Sequence, residues 1–269
     1  MKSRIEHARS AGDRLVESES LALLVRAWFW GPTPVAEGIR RCEELRVAYG
    51  DNHRTDASVV AVLAGFESLR GHFDQARRLR AEAEAILTDL GLETERSGIQ
   101  VLAFEIEMLA DDPERAERAL RSGLQAAVHM EEAGQLALLE ALMARVLYSL
   151  GQLEEAERCT RRSEQAASID DIASRIIWRS VRAKIAARAD RRDEARSLAR
   201  SALEIGEEID FVNDRADALV DAAEVEELIG EPRTAATLLD RAIDLYEQKG
   251  NVVSEERARD RRALLHLPT

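Results

Sequence analysis

The chain has 269 residues, a third of them charged, and a formal net charge of −13. That balance argues against gripping nucleic acid, which needs a positive surface able to release counterions from phosphate. Hydrophobic residues make up 45% but aromatics only 4%, so Ala and Leu carry the packing and helices can approach closely.

Arg pairs such as Arg77-Arg78 and Arg161-Arg162 have acidic neighbours within about two turns and read as solvated helix faces. No apolar run nears the roughly 20 residues that span a bilayer. The N-terminus, MKSRIEHARSAGD, lacks a signal peptide's apolar core, so no membrane partner and a cytoplasmic location are expected.

A unit of about 40 residues recurs along the chain. Aligned on the small residue that opens the packing face of each second helix, its markers are Ala36, Ala76, Ala116, Ala156, Ala195 and Ala235. A fixed period of this length signifies helix pairs stacked into a solenoid. The expected fold is all-α: a right-handed superhelical solenoid of about six helix pairs plus a C-terminal capping helix, forming one domain over 1–269.

In chain order, residues 1–12 read as the tail of a preceding repeat, closed by Gly12-Asp13. The chain then begins midway through a helix pair, as a piece of a longer protein would. Its first complete helix, with Trp28, Phe29 and Trp30, would lack a neighbour and should fray. Repeats follow at 14–50, 54–91, 93–132, 134–168, 171–210 and 213–250, and the cap at 252–267. Within the repeats Gly31, Gly71, Asp111, Gly151, Asp190 and Gly230 occupy one turn position. Gly suits it by tolerating positive φ, and Asp by capping the next helix.

Twelve residues before the markers stand Leu24, Ala64, Phe104, Ala144, Ala183 and Ala223, the expected close contact between paired helices. One residue earlier, Arg182 alone breaks a column of Leu23, Leu63, Ala103, Met143 and Ala222. The cap's outer face is charged (Glu255, Glu256, Arg259, Arg262), which solvates an open end.

Small residues at matched helix contacts, with a Gly before the second helix, resemble the tetratricopeptide repeat, although the period exceeds the usual 34 or so residues. The runs GPTPVAEGIRRCEEL (31–45), LRGHFDQARRLRAEAEAILTDLGL (69–92), IIWRSVRAKIAARADRRDEARSLARSAL (176–203) and ADALVDAAEVEELIGEPRTAATLLDRAIDLYEQKGNVVSEERAR (216–259) carry a narrower resemblance. They are similar to the C-terminal tetratricopeptide region of bacterial class III adenylate/guanylate cyclase homologues with an ATPase module, and of related transcriptional regulators. The resemblance implies a regulatory region of a bacterial signal-transduction protein, with catalytic domains upstream.

No enzyme motif accompanies it. None of Lys2, Lys184 and Lys249 follows a Gly as a phosphate-binding loop requires. The five His, including His129 and His266, are scattered, and acidic pairs such as Asp111-Asp112 and Asp170-Asp171 suit helix capping, so no cofactor and no metal are expected. Cys159 reads as a small core residue and Cys42 as partly exposed. The Trp28–Trp30 cluster either packs or serves as a peptide hot spot.

The first helices of such a solenoid line its concave face. Eleven residues before the markers stand Val25, Gly65, Glu105, Arg145, Lys184 and Glu224, with Tyr148 and Arg188 one turn beyond Arg145 and Lys184. Glu105, Arg145, Tyr148, Lys184, Arg188 and Glu224 are therefore the candidate groove contacts. Two readings stand open: the basic pair receives a carboxylate-bearing partner, or Glu105–Arg145 and Lys184–Glu224 neutralise each other between repeats. A chaperone-type carboxylate clamp is disfavoured, because Asn52, Asn213 and Asn251 all lie near turns. The expected function is a non-catalytic solenoid that binds a protein segment or small effector and signals to upstream domains. The alternative is a structural or self-association module.

Overall fold

The computed structural model describes residues 2–129 and 133–265. His266 and the expected ends of repeat three at 132 and of the cap at 267 lie outside the described residues. Fourteen helices, and no strand, occur among the described residues. After α1 (Lys2–Ala11) come the pairs α2 (Arg14–Trp30) and α3 (Val35–Tyr49), α4 (His53–Leu69) and α5 (Phe73–Asp89), and α6 (Glu93–Leu109) and α7 (Pro113–His129). The remaining pairs are α8 (Ala133–Ser149) and α9 (Leu153–Ala166), α10 (Ile172–Arg188) and α11 (Arg192–Glu207), and α12 (Val212–Leu228) and α13 (Pro232–Lys249), followed by α14 (Val252–Leu264). This is an all-α tetratricopeptide-like solenoid.

Each marker Ala from the second pair onward is fully buried at the fourth position of its helix: Ala76, Ala116, Ala156, Ala195 and Ala235. A larger side chain there would push the paired helices apart. The first pair departs from the expected register. Ala36 is exposed, and the fourth residue of α3 is Gly38, whose missing Cβ would sit 2.2 Å from the Phe66 ring. The cause is helix length: α3 has 15 residues where α5 has 17.

That shift corrects two further expectations. Cys42 falls in the column of Leu120 and Leu239 and is fully buried, not partly exposed. In α2 the tight-contact position belongs to Val25, fully buried, instead of Leu24, and the groove position passes from Val25 to Arg26. The turn residues also behave differently from expectation. Asp111 and Asp190 adopt φ of 59° and 57°, the left-handed backbone that Gly71 and Gly151 adopt, so they replace Gly there and do not act as caps. Capping falls to their acidic neighbours elsewhere: Asp112 accepts from Arg115 N at 3.0 Å and Asp171 from Ser174 N at 3.2 Å. Arg182 leaves its apolar column because its guanidinium stacks 4.4 Å over the Trp178 ring and donates to Thr160 and Glu164.

The stack curves until its last pair meets its first. The fully buried Lys249, at the end of α13, donates to the carbonyls of Trp28 (2.9 Å), Gly31 (2.7 Å) and Thr33 (2.8 Å). On α14, Arg257 donates to the carbonyls of Met108 (3.2 Å) and Leu109 (2.8 Å) on α6. The first complete helix is therefore not bare: α2 packs against α1, α4 and α12. Phe29 is buried edge-on against Phe66 at 5.4 Å, Trp30 meets Phe29 at 4.7 Å, and Arg41 lies over Trp28 at 5.5 Å.

Two predictions test this frame. Ala36→Arg should change stability by no more than about 0.5 kcal/mol, whereas Gly38→Ala should cost about 1–3 kcal/mol by pressing on Phe66; urea denaturation of both variants checks the register. Lys249→Met should leave three carbonyls without their donor at a cost of about 3 kcal/mol or more. Small-angle scattering should show that variant more open, and an unchanged radius of gyration would mean that other contacts close the array.

Candidate functional site

Closure turns the concave face into an interior. Its lower part is a cavity of about 390 Å³ lined by Glu105, Arg145, Tyr148, Lys184 and residues of α12 and α14. Its upper part, about 330 Å³, is mainly apolar, with Phe29, Trp30, Leu102, Leu138, Leu142 and Ile177 among its walls. Glu105 lines both.

The curvature brings α12 across from α8, one repeat being skipped. Arg145 on α8 donates to Asp217 (3.0 Å) and Asp221 (3.1 Å), both on α12. Lys184 on α10, itself buried, holds Asp221 at 2.6 Å and Glu224 at 3.6 Å, with its ammonium 4.4 Å over the Tyr148 ring. Arg188 donates to the Tyr148 hydroxyl at 2.6 Å, and that hydroxyl donates in turn to Glu224. Tyr246 on α13 donates to Asp217 at 2.5 Å. Five of the six expected groove residues, Arg145, Tyr148, Lys184, Arg188 and Glu224, thus belong to one polar network.

Of the two neutralising pairs expected from the sequence, Lys184–Glu224 forms. Arg145 turns instead to α12, since the tight superhelix puts Asp217 and Asp221 opposite its guanidinium. Glu105 accepts no hydrogen bond from a described side chain, and neither does Asp214 on α12. Asn213 and Asn251 lie beside turns, at the starts of α12 and α14, as expected, and both also line the lower cavity, where Asn251 donates to Asn213 at 3.2 Å.

Electrostatics separate the carboxylates. Burial would raise the Asp221 pKa, but Lys184 and Arg145 outweigh it and hold the group below its ordinary value. Burial likewise pulls Arg145 down, and Asp221 and Asp217 lift it above the usual range. Burial and the Glu224 charge push the Tyr148 phenol up. Glu105 and Asp214 have no such compensation. Burial, then the charges of Asp217 and Asp214, pushes Glu105 up to about 8, with only Arg145 opposing. Burial and Asp217 push Asp214 up to about 7.

Sequence reasoning passed over Asp214, Asp217 and Asp221. They stand ten, seven and three residues before Glu224, which places all four on one face of α12. Following that face back from Glu224 would have found them. Arg26, exposed on α2 and lining the upper cavity, was hidden by the register shift of the first pair. Among the described residues no His/Cys/Asp/Glu group is arranged to hold a metal ion, and no helix is long and apolar enough to cross a membrane.

No protein-family model matches the chain, and no curated protein does. Solved structures match over most of its length. NprR in complex with its cognate peptide NprX superposes with a TM-score of 0.71 at 15% identity, covering 96% of this chain and 76% of that one. The apo form of the quorum sensor NprR from B. thuringiensis gives 0.61 at 16% identity, covering 93% and 72%. BtubC (BKLC) from P. vanneervenii gives 0.57 at 17% identity, covering 87% and 93%. At these identities the likeness establishes the helical-repeat fold.

The carboxylate chemistry predicts a pH dependence. Glu105 and Asp214 hold protons in the folded chain up to about pH 7–8, whereas the unfolded chain releases them near about pH 4. The folded state binds more protons across that window, so stability should fall as pH rises through it, with the deficit complete about one unit above pH 8. Glu105→Gln and Asp214→Asn should each flatten the decline and raise the melting temperature at alkaline pH. Melting curves of the three proteins across the window are the check.

Proposed function

We propose that this solenoid is a non-catalytic effector sensor that receives a short peptide inside its superhelix. The observation that carries this reading is the concave interior itself: a mainly apolar, half-open cavity and a polar one that share Glu105 in their walls, about 330 and 390 Å³ in volume, within the usual size of ligand sites. The likeness to NprR supports it, because the chain with which this one superposes was solved in complex with its cognate peptide.

In this reading the six groove residues divide their work. Glu105 faces the ligand from the junction of the chambers. Arg145, Tyr148, Lys184, Arg188 and Glu224 line or brace the polar chamber, and the cross-links to α12 set its width. Ligand contacts there would shift those cross-links and pass the event along the stack to whatever domains adjoin it. A parent of the cyclase or transcriptional-regulator type rests on the sequence resemblance alone.

Gly98 provides a clean test. It lines the apolar chamber, and a Cβ built there meets nothing within 4 Å, so Gly98→Phe is expected to project into the open space of the chamber, with its melting temperature the check that the fold is kept. Pools of short synthetic peptides with randomised sequence are incubated with the parent and the variant, and retained peptides are identified by native mass spectrometry. Stoichiometric retention by the parent, reduced about tenfold or more in a variant of unchanged melting temperature, is expected. Retention indifferent to Gly98→Phe would place binding elsewhere. No retention, with concentration-dependent self-association in the ultracentrifuge, would favour the structural module.

A further inference from the structure

Inside the superhelix the hydrogen-bonding groups are unevenly satisfied. Arg145 and Lys184 are each engaged by carboxylates of α12, and Arg257 by two backbone carbonyls. A ligand carboxylate seeking Arg145 or Lys184 would have to displace Asp217, Asp221 or Glu224, which are covalently held in place. Glu105 and Asp214 are different. Both line the apolar chamber, neither accepts a hydrogen bond from a described side chain, and Arg145, already paired elsewhere, is the one cation that favours their ionisation.

The rest of that chamber is mainly apolar and aromatic, with Trp30 and Phe29 from α2, Leu138 and Leu142 from α8, and Ile177 from α10, and Gln135 on α8 adds a neutral polar side chain. Arg26 also lines it, from α2, and contributes to neither carboxylate's electrostatics. Apolar surface on one side and unpaired acceptors on the other fit one chemistry.

Resting on the peptide-receiving reading above, we propose that the chamber selects a basic-apolar peptide: an ammonium or guanidinium group received between Glu105 and Asp214, with a neighbouring bulky apolar side chain seated against Trp30 and Leu142. A cation in that position removes the repulsion between the carboxylates and supplies the donors they lack. An acidic peptide would add a third negative charge and an unpaired acceptor. The specificity is therefore against acidic ligands as much as for basic ones.

The test uses three pools of short peptides with capped ends and randomised flanks, each carrying Leu followed by Lys, Gln or Asp. Calorimetric titration against the parent is run at about pH 9, where both carboxylates are mostly ionised and a Lys side chain stays mostly charged. The Lys pool should bind about ten- to a hundredfold more tightly than the Gln pool, as expected for charge-assisted hydrogen bonds, and the Asp pool should bind most weakly. In Glu105→Gln/Asp214→Asn, which keeps its fold by melting temperature, the Lys and Gln pools should agree within about twofold. A Lys preference that survives the double variant overturns the assignment, as does a preference for Asp. Equal binding of all three pools, lost in Gly98→Phe, overturns it while leaving the peptide-receiving reading standing. If no pool binds the parent, both fail together.

Discussion

Lys249 sets its ammonium against three carbonyl oxygens where α2 ends and the chain turns. A helix end carries partial negative charge and unsatisfied carbonyls, which draw a cation there, against a burial cost that pulls the pKa of the Lys249 ammonium down to about 8. The contact joins residues more than two hundred positions apart and therefore defines the curvature of everything between them. A solenoid left open would present its first helices as a shallow face. Curved round by this contact and by Arg257, the same helices shape two adjoining, half-open chambers.

Within that ring the polar groups follow a consistent logic. Charges drawn out of water cost more than a simple pair returns unless their remaining hydrogen-bonding groups are also met. Asp221 satisfies this through two cations, Arg145 and Lys184, and Asp217 through Arg145 and the Tyr246 hydroxyl. Together these contacts tie α12 to three other helices, α8, α10 and α13, so the network fixes the relative rotation of repeats as well as neutralising charge.

Legibility in the sequence tracked how regular the chain is. Five marker alanines are buried where the period places them, because close helix packing tolerates little else at those positions. The first pair was misread because a period assumes equal helices, and α3 is shorter; Ala36 offered a plausible marker while Gly38 held the contact. The groove column found Glu105, Arg145, Lys184 and Glu224, since stacking repeats a position from one helix to the next. It missed Asp214, Asp217 and Asp221, whose importance comes from closure. Nothing in a nearest-neighbour reading brings the sixth repeat opposite the third and fourth, or the end of α13 to the end of α2. Those contacts belong to the accumulated curvature of the whole array.

Closure also explains how a structure can tolerate Glu105 and Asp214 as they stand. Burial and mutual repulsion raise the free energy of the empty, ionised chamber, and the clasp and the α12 network hold the carboxylates together regardless. Protein stability is the difference of large opposing terms, so a local deficit of this kind persists when the surrounding packing exceeds it. A ligand that supplied the missing positive charge would relieve the deficit only in the closed form, where the two groups face one chamber. Its binding energy would then favour closure over opening, by as much as its affinity for the two forms differs. The same geometry that makes the interior unfavourable when empty is thus what would let an occupant report itself at both ends of the stack.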